Sequence, residues 1–596
     1  MSQVDKPAPR YAWTGIAMAG FFSLAAASQL KLQTIERKST LDLAKQTKRY
    51  SSTRFDYARR GSIFASDGKP LAQDEDASEL NVQFEGVPKS EAFFMALGEA
   101  SGIPASEFQS LAQQKVKQGS WRQPMSAARA EAIERVKKDW RADGVSLAHT
   151  GRRSYPLGDS ASCLVGTYQE GKGLLGLEAS KTKLLTGVDG KQVGLTDKKG
   201  AFLPMRLLAE TKEKKDGANL TLTIDSNMQA DATAAIRQAV EENMADNGVA
   251  LVMDPHNGDI LAMANWPSFA PYQADGSVGD MKNQTGYNPC YMAQLEPGST
   301  FKILTLAKAL DCGKASMDEV LNCPGEFHPT ERTRIRCDSH HGNRAHGQVD
   351  AVKAIAKSCN VVAATWAMRI GRDPFLDYIR SLGLLSRCNL GVPTEAHGNF
   401  NYNEPSQKLQ LATVGFGQSL TCTPIGLLGA FGMLGNDGAR IAPRLIKRIG
   451  NVEQPVAAAV PVVSKETADK VLRCMEAVIE TDAGTGKSLR IPGYRMGGKT
   501  GTAEKVGKGP KGYVSNFVGF VPSTAPKAII LVMVNNPKGG KYYGATVAGP
   551  VFKKMAQAVI NHYHIAPTEP ILPAKLHDGV KMEDVAVRHR RSHHTA

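Results

Sequence analysis

Three hydrophobic patterns divide the chain. "NLTLTID", beginning at Asn219, alternates apolar and polar positions as a half-buried strand does. "NMQADATAAIRQAVEENMAD" then carries apolar residues at helical spacing, with Asp225 or Ser226 placed to cap the helix. In "VALVMDPHNGDILAMAN" two apolar runs flank Asn257-Gly258, a strong hairpin signal. From Phe301, "FKILTLAKAL" predicts an apolar helix, and most of 299–480 reads as helical. "NFVGFVP" at 516–522 and "AIILVMVNN" at 528–536 are continuous apolar runs of strand length. Strands at both ends of a segment with helices between predict an α+β domain, an antiparallel sheet covered by helices.

Upstream the pattern is less regular. "AWTGIAMAGFFSLAAAS", residues 12–28, holds no charged side chain, and residues 29–59 read as a polar, charged helix. "RRGSIFASDGKPLAQ" predicts strand, a turn at Asp67-Gly68, and strand again. A charged helix is expected at 127–140, and a glycine-rich stretch, "GKGLLGLEAS", covers 171–180. The expected division is a cytoplasmic tail at 1–11, a membrane anchor at 12–30, a non-catalytic domain at 31–217, a catalytic domain at 218–565 and a disordered basic tail at 566–596. Lys6 and Arg10 precede the apolar stretch, and Lys31, Arg37 and Lys38 follow it, so charge orients it weakly. Leu30 and Leu32 lengthen it, which favours an uncleaved anchor over a signal peptide cut at "AAAS". Most of the chain is then expected outside the cytoplasm.

Composition narrows the class. At 596 residues the chain exceeds one ordinary domain, and 42% hydrophobic with 22% charged residues marks globular protein. A net charge of +15 suits polyanionic surroundings, whether nucleic acid, anionic lipid or an acidic wall polymer. No Lys/Arg cluster is interleaved with aromatics, so nucleic acid is not an expected partner. Nine cysteines include no C-x-x-C pair. Cys323 and Cys337 flank a segment holding His328, and His340, His341 and His346 follow. That spacing matches no standard zinc pattern, so the expectation is a disulfide or two unpaired loop thiols, with no metal and no cofactor.

One stretch carries the chemistry. In "EPGSTFKIL", Ser299 follows a Pro-Gly break and opens the apolar helix, with Lys302 three residues on. As a bare serine before a helix it is an N-cap. Ser-x-x-Lys also occurs at Ser28, Ser66 and Ser180, none of which opens a long apolar helix after a breaker. At a helix start Ser299 shares a face with Lys302, and a desolvated lysine can serve as its base. Ser358-Cys359-Asn360 and Lys499-Thr500-Gly501-Thr502 follow, the latter on an expected strand. Three such motifs in this order point to a serine acyl-transfer site.

With these motifs the chain resembles the penicillin-binding proteins and serine β-lactamases, and most nearly the class B monofunctional D,D-transpeptidases. The resemblance runs from about residue 12 to 560 and includes "RRGSIFASDGKPLA", "GLLGLE", "HGQVDAVKAIAKSCNVV", "GFGQSLTCTPIGLLGAFGMLGNDG" and "GGKTGTAEKV". It implies a transpeptidase fold, a mixed α/β pedestal tied by Arg60, Gly61 and Glu178, and one transmembrane helix. Ser299 would attack a D-Ala-D-Ala stem peptide with Lys302 as base. Ser358 would relay a proton, and Asn360 would position the substrate amide and Lys302. Lys499 would keep the site positive, and Thr500 and Thr502, with Gly501 between them, would bind the substrate carboxylate. Backbone N–H groups of Ser299 and Thr502 would form the oxyanion hole. β-Lactams would inhibit. The Ser-Cys-Asn triplet resembles the cell-division and sporulation branch, and the pedestal implies a SEDS-type glycosyltransferase and division-complex proteins as partners. A carboxypeptidase, a penicillin sensor or a β-lactamase would share the three motifs. The intact Ser299/Lys302/Lys499 set opposes a non-enzymatic wall scaffold.

Overall fold

The computed structural model describes residues 9–36, 39, 51–56, 58–123, 127–169, 171–196, 202–207, 212–271, 286–337, 345–400, 407–504 and 512–570. The most apolar runs of the sequence lie side by side in one five-stranded antiparallel sheet. Its order is Ile260–Trp266, Asn247–Met253, Ala528–Asn535, Tyr513–Val521, Gly497–Glu504. Both faces are covered, so the inner strands are mostly apolar and buried along their length, and successive residues alternate in which core they enter. Val249, Leu251 and Met253 enter one core, and Ala250 and Val252 the other. Helices Ser226–Glu242 and Gly549–His562 cover the second face. Phe301–Asp311, Pro424–Gly432 and Lys465–Glu480 pack on the first.

Local signals set the connections. Asp225 caps the Ser226–Glu242 helix by accepting from Met228 N at 2.8 Å. The expected hairpin forms, with Gly258 in the left-handed conformation at φ +75°. The Asp67-Gly68 turn also forms.

The chain divides into two compact units, residues 1–60 with 186–217 and residues 61–185 with 218–596. In the first, Ser51–Asp56, Gly190–Thr196 and Phe202–Leu207 make a three-stranded sheet. Residues 51–56 were expected to continue a helix. They pair instead, in register from Ser51↔Leu195 to Asp56↔Gly190, because strand hydrogen bonding to a distant segment overrides a weak local preference. The rest of that expected helix, 37–50, falls almost wholly outside the described residues, as do His340, His341 and residues 571–596. Pro9–Thr34 is one helix running through the expected anchor. Among the described residues no helix is long and apolar enough to cross a membrane.

In the second unit, Ile63–Phe64 pairs in parallel with Leu220–Leu222, which pairs in turn with Ile446–Ile449. Segments on either side of the boundary expected at 217/218 thus share a sheet. Three of the residues expected to tie the pedestal are accounted for by bonds the sequence did not disclose. Glu178, fully buried, accepts from Arg153 Nε at 2.7 Å, and Arg153 also reaches Asp74 at 3.0 Å and the Gly61 carbonyl at 2.8 Å. Arg60 donates to Thr186 Oγ1 at 2.8 Å. Arg153 is held as a firm cation, since its two carboxylates outweigh burial and leave its pKa raised. Removing one carboxylate leaves a buried guanidinium half-compensated. Glu178→Ala is therefore expected to destabilise the protein by about 3 kcal/mol, read as a lowered urea midpoint. An unchanged midpoint would show that the pair carries no net stability.

Candidate active site

Pro297 is αR, Gly298 takes φ +59°, and residues 298–300 form a 3-10 turn that runs directly into the Phe301–Asp311 helix. The turn closes on Thr300, whose Oγ1 donates to Pro297 O at 2.8 Å. Ser299 therefore does not serve as the helix cap. It is partly buried and faces a cleft. Two neighbours hold the turn. Gly298 N donates to Gly417 O at 2.9 Å, and Asn516 Nδ2 donates to Pro297 O at 3.1 Å. The "GFGQS" loop is anchored in turn by Glu296, whose carboxylate accepts from Ser419 N at 2.8 Å and whose pKa burial raises.

Lys302, three residues on from Ser299 in the first turn of the helix, is 1% exposed. Its Nζ donates to Ser358 O at 2.6 Å and to Ser358 Oγ at 3.0 Å. Both acceptors face one ammonium because Ser358 adopts φ +55°, a left-handed conformation costing a non-glycine residue about 1–3 kcal/mol. Lys499, on the strand Gly497–Glu504, comes from the other side. Its Nζ donates to the same Ser358 Oγ at 3.0 Å and to Thr500 O at 2.9 Å. Desolvation lowers Lys302 to about 8, against the raising effect of the Cys337 and Cys359 sulfurs. Desolvation and then the charge of Lys302 carry Lys499 well below its usual value.

The remaining motif residues arrange around this centre. Thr500 and Thr502 line the cleft. Thr500 Oγ1 lies 3.0 Å from Thr485 Oγ1, and Thr502 Oγ1 accepts from Gly544 N at 3.2 Å. Gly501 points away, and a Cβ there would lie 1.8 Å from Asn516 Oδ1. Only glycine lets the strand pass over the asparagine that steadies the Ser299 turn. Asn360 lines the cleft, but its amide donates to Arg336 O at 2.8 Å and Cys337 O at 3.3 Å. These bonds run to the end of the hairpin Glu326–Arg336 and the residue after it, not to Lys302 as expected. The cleft encloses about 870 Å³, room for a peptide terminus. Tyr513 and Tyr543 form one wall, with Tyr542 stacked between them at ring separations of 4.5 Å.

Sequence reasoning missed several supports: Asn516, Thr485, Glu296 and the tyrosines. "KYYG" and "GFGQS" were visible, but nothing in them reveals what they meet in space. Of the two forms expected for Cys323 and Cys337, the structure has unpaired thiols and not a disulfide. Their sulfurs are 3.5 Å apart, well beyond the roughly 2.0 Å of a disulfide, and both are buried. His328 is exposed and turned to Glu326. Cys359, noted only as the middle of a triplet, lies 3.3 Å from Cys337.

The sequence matches the penicillin binding protein transpeptidase domain over residues 248–557 and the penicillin-binding protein dimerisation domain over 55–222. It is 29% identical to the probable peptidoglycan D,D-transpeptidase PenA of Neisseria gonorrhoeae over 96% of each chain. It is 31% identical to the peptidoglycan D,D-transpeptidase FtsI of Buchnera aphidicola over 71% of this chain and 72% of that one. The fold resembles penicillin binding protein 3 of Mycobacterium tuberculosis in complex with aztreonam, with a TM-score of 0.65 and 25% identity over 88% of this chain and all of that one.

A lysine titrating near 8 beside Ser299 has a kinetic signature. As an ammonium it cannot accept the hydroxyl proton, and as an amine it can. The second-order rate of Ser299 acylation by benzylpenicillin is expected to rise with pH through about 8 and then level, following Lys302. A rate flat from pH 6 to pH 9, as an order-of-magnitude window around that value, would remove Lys302 as the base.

Proposed function

Because the chain belongs to the penicillin-binding transpeptidase family, we propose that it is a serine peptidoglycan D,D-transpeptidase that cross-links stem peptides during cell-wall synthesis. One observation carries the assignment of roles: a single hydroxyl, Ser358 Oγ, lies 3.0 Å from each of two buried lysines under a cleft that presents Ser299. Ser299 Oγ attacks the carbonyl between the two terminal D-alanines, and its proton passes to Lys302. The backbone N–H groups of Ser299 and Thr502 receive the oxyanion. The C–N bond then breaks, and the departing D-alanine takes a proton relayed through Ser358. An amine of a neighbouring stem peptide attacks the acyl-enzyme, forms the new amide and frees Ser299.

The substrate carboxylate has a further part. Held by the Thr500 and Thr502 hydroxyls, it stabilises the Lys499 cation, and that cation in turn disfavours a proton on Lys302. Substrate binding thereby prepares the base. Asn360, tied to the hairpin carbonyls, fixes the cleft wall beside the substrate.

The experiment is the mass of the intact protein after penicillin, with peptide mapping. The ring-opened acyl group is expected on Ser299 and to persist, since its leaving amine stays tethered. Ser299→Ala should abolish the adduct, and Lys302→Ala should slow it by at least about 100-fold. An adduct on another serine, or rapid turnover to penicilloate as in a β-lactamase, would overturn the transpeptidase reading. Release of D-alanine without cross-linked product would make the enzyme a carboxypeptidase.

The reading includes a place in the cell. The relatives named FtsI and PenA, with the Ser-Cys-Asn triplet, support a role in division, and the resemblance of the N-terminal pedestal supports partnership with a SEDS-type glycosyltransferase. Residues 12–30 act as the anchor, with the catalytic unit outside the cytoplasm. Support comes from the run between Arg10 and Lys31, which lacks any charged residue, and from the exposure of Trp13, Phe21, Phe22 and Leu24 on a helix that buries none of them. Alanine and glycine keep that run only modestly apolar. The protein should stay in the membrane pellet through a high-salt wash with its N-terminus intact. A soluble protein, or a mature chain starting near Ser28, would refute the anchor.

A further inference from the structure

Four side chains that the reaction does not use meet beside the cleft. Cys323, Cys337, Cys359 and His346 bring three sulfurs and one imidazole nitrogen within 4.8 Å of one another. Cys323 Sγ is 3.5 Å from Cys337 Sγ and 3.5 Å from His346 Nδ1, and Cys337 Sγ is 3.3 Å from Cys359 Sγ. A tetrahedral zinc with three thiolates and one imidazole would space these atoms by about 3.5–3.8 Å, given Zn–S near 2.3 Å and Zn–N near 2.0 Å. We propose that this cluster is a structural zinc site, and that the ion clamps the hairpin Glu326–Arg336 to the start of the helix Asn360–Ile370.

The backbone brings the four ligands together independently of any ion. Cys323 ends the short strand Leu321–Cys323, which pairs with Gly347–Val349 so that Cys323 opposes Gly347 and His346 comes alongside. The hairpin departs after Cys323 and returns at Cys337, whose N–H donates to Gly325 O at 2.9 Å. Cys359 stands at the N-cap of Asn360–Ile370. Each segment thus delivers its ligand from a fixed backbone position, as a structural site requires.

The surroundings favour thiolate. Asn360 N donates to Cys337 Sγ at 3.2 Å, and Val362 N to Cys359 Sγ at 3.5 Å. Both amides belong to the first turn of a helix, where the dipole favours negative charge. Thiolate ligands with one imidazole suit zinc, and the Cys₃His set belongs to its closed, structural class. Cys337 and His346 line the cleft, which gives the ion an entry path.

A disulfide is the rival. It would consume two of the three thiols and strand the third beside an imidazole. If the catalytic unit faces outward, as proposed above, three reduced thiols in an oxidising compartment need a reason to stay reduced. A bound ion supplies one. It also gives the cluster a function, because Cys359 stands between Ser358 and Asn360. Fixing Cys359 fixes the left-handed Ser358 and the amide that holds the cleft wall.

The test is metal analysis of the full-length protein purified without chelator. One zinc per chain is expected, together with intense sulfur-to-cobalt charge-transfer absorption when cobalt replaces it. Chelation should slow penicillin acylation, and restored zinc should recover it. Cys323→Ser should weaken zinc affinity by at least about 100-fold. His346→Cys, which keeps a zinc ligand, should retain the metal, so that a loss in Cys323→Ser is not simply misfolding. Substoichiometric zinc that added zinc does not correct, a different ion at one equivalent, or a disulfide among these cysteines in protein taken directly from cells would each overturn the proposal.

Discussion

Two buried lysines share one hydroxyl, and the catalytic centre is organised around that constraint. Nitrogens that are each 3.0 Å from Ser358 Oγ lie within about 6 Å of each other. Were both charged, their repulsion at an effective dielectric of 20 would be about 3 kcal/mol. The site therefore holds fewer protons than its side chains could carry, and where the remaining proton sits depends on what occupies the cleft. Neither lysine needs a carboxylate partner for this. Burial lowers them both.

Holding that arrangement takes backbone from four distant parts of the chain. The Ser299 turn is steadied by Gly417 and Asn516, and the Lys499 strand passes over Asn516 only because Gly501 lacks a Cβ. Ser358 is bent into an unfavourable conformation so that its carbonyl and hydroxyl both meet Lys302. Strain of this kind persists where neighbours over-determine it. The cysteine–histidine cluster next to Ser358 is placed to do that, since it joins the hairpin to the helix start on which Ser358 and Asn360 depend.

Much of this was legible in the sequence, for reasons that differ by element. Asn257-Gly258 between apolar runs fixes a hairpin through local chemistry alone. The runs at 516–522 and 528–536 announce strands because no surface element is so uniformly apolar. Ser299 could be separated from three other Ser-x-x-Lys occurrences because only it follows a breaker and opens an apolar helix. The missing parts are those whose meaning lies in a distant partner. Residues 51–56 look helical until Gly190–Thr196 is placed beside them. Glu178 could be named, but its partner Arg153 could not. His346 and Cys359 belong to no ligand spacing, because strand pairing and a helix cap, not a short loop, bring them to Cys323 and Cys337. Asn360 has the expected place at the cleft wall and unexpected hydrogen bonds.

The central sheet carries a cost in time. Its early hairpin, 247–266, has one strand edge that only Ala528–Asn535 covers, and that strand is about 275 residues further along the chain. At about 5–20 residues per second, synthesis leaves the edge without its partner for tens of seconds. During that interval an apolar strand with unpaired N–H and C=O groups invites pairing with another chain. Every nascent copy passes through this state, and it ends only once Ala528–Asn535, the second strand after the Lys-Thr-Gly-Thr motif, has emerged. Completion of the sheet and completion of the active site are thus nearly the same event. A chain truncated before that strand loses the sheet's cover and part of the active site together, and quality control would see it as a single kind of failure.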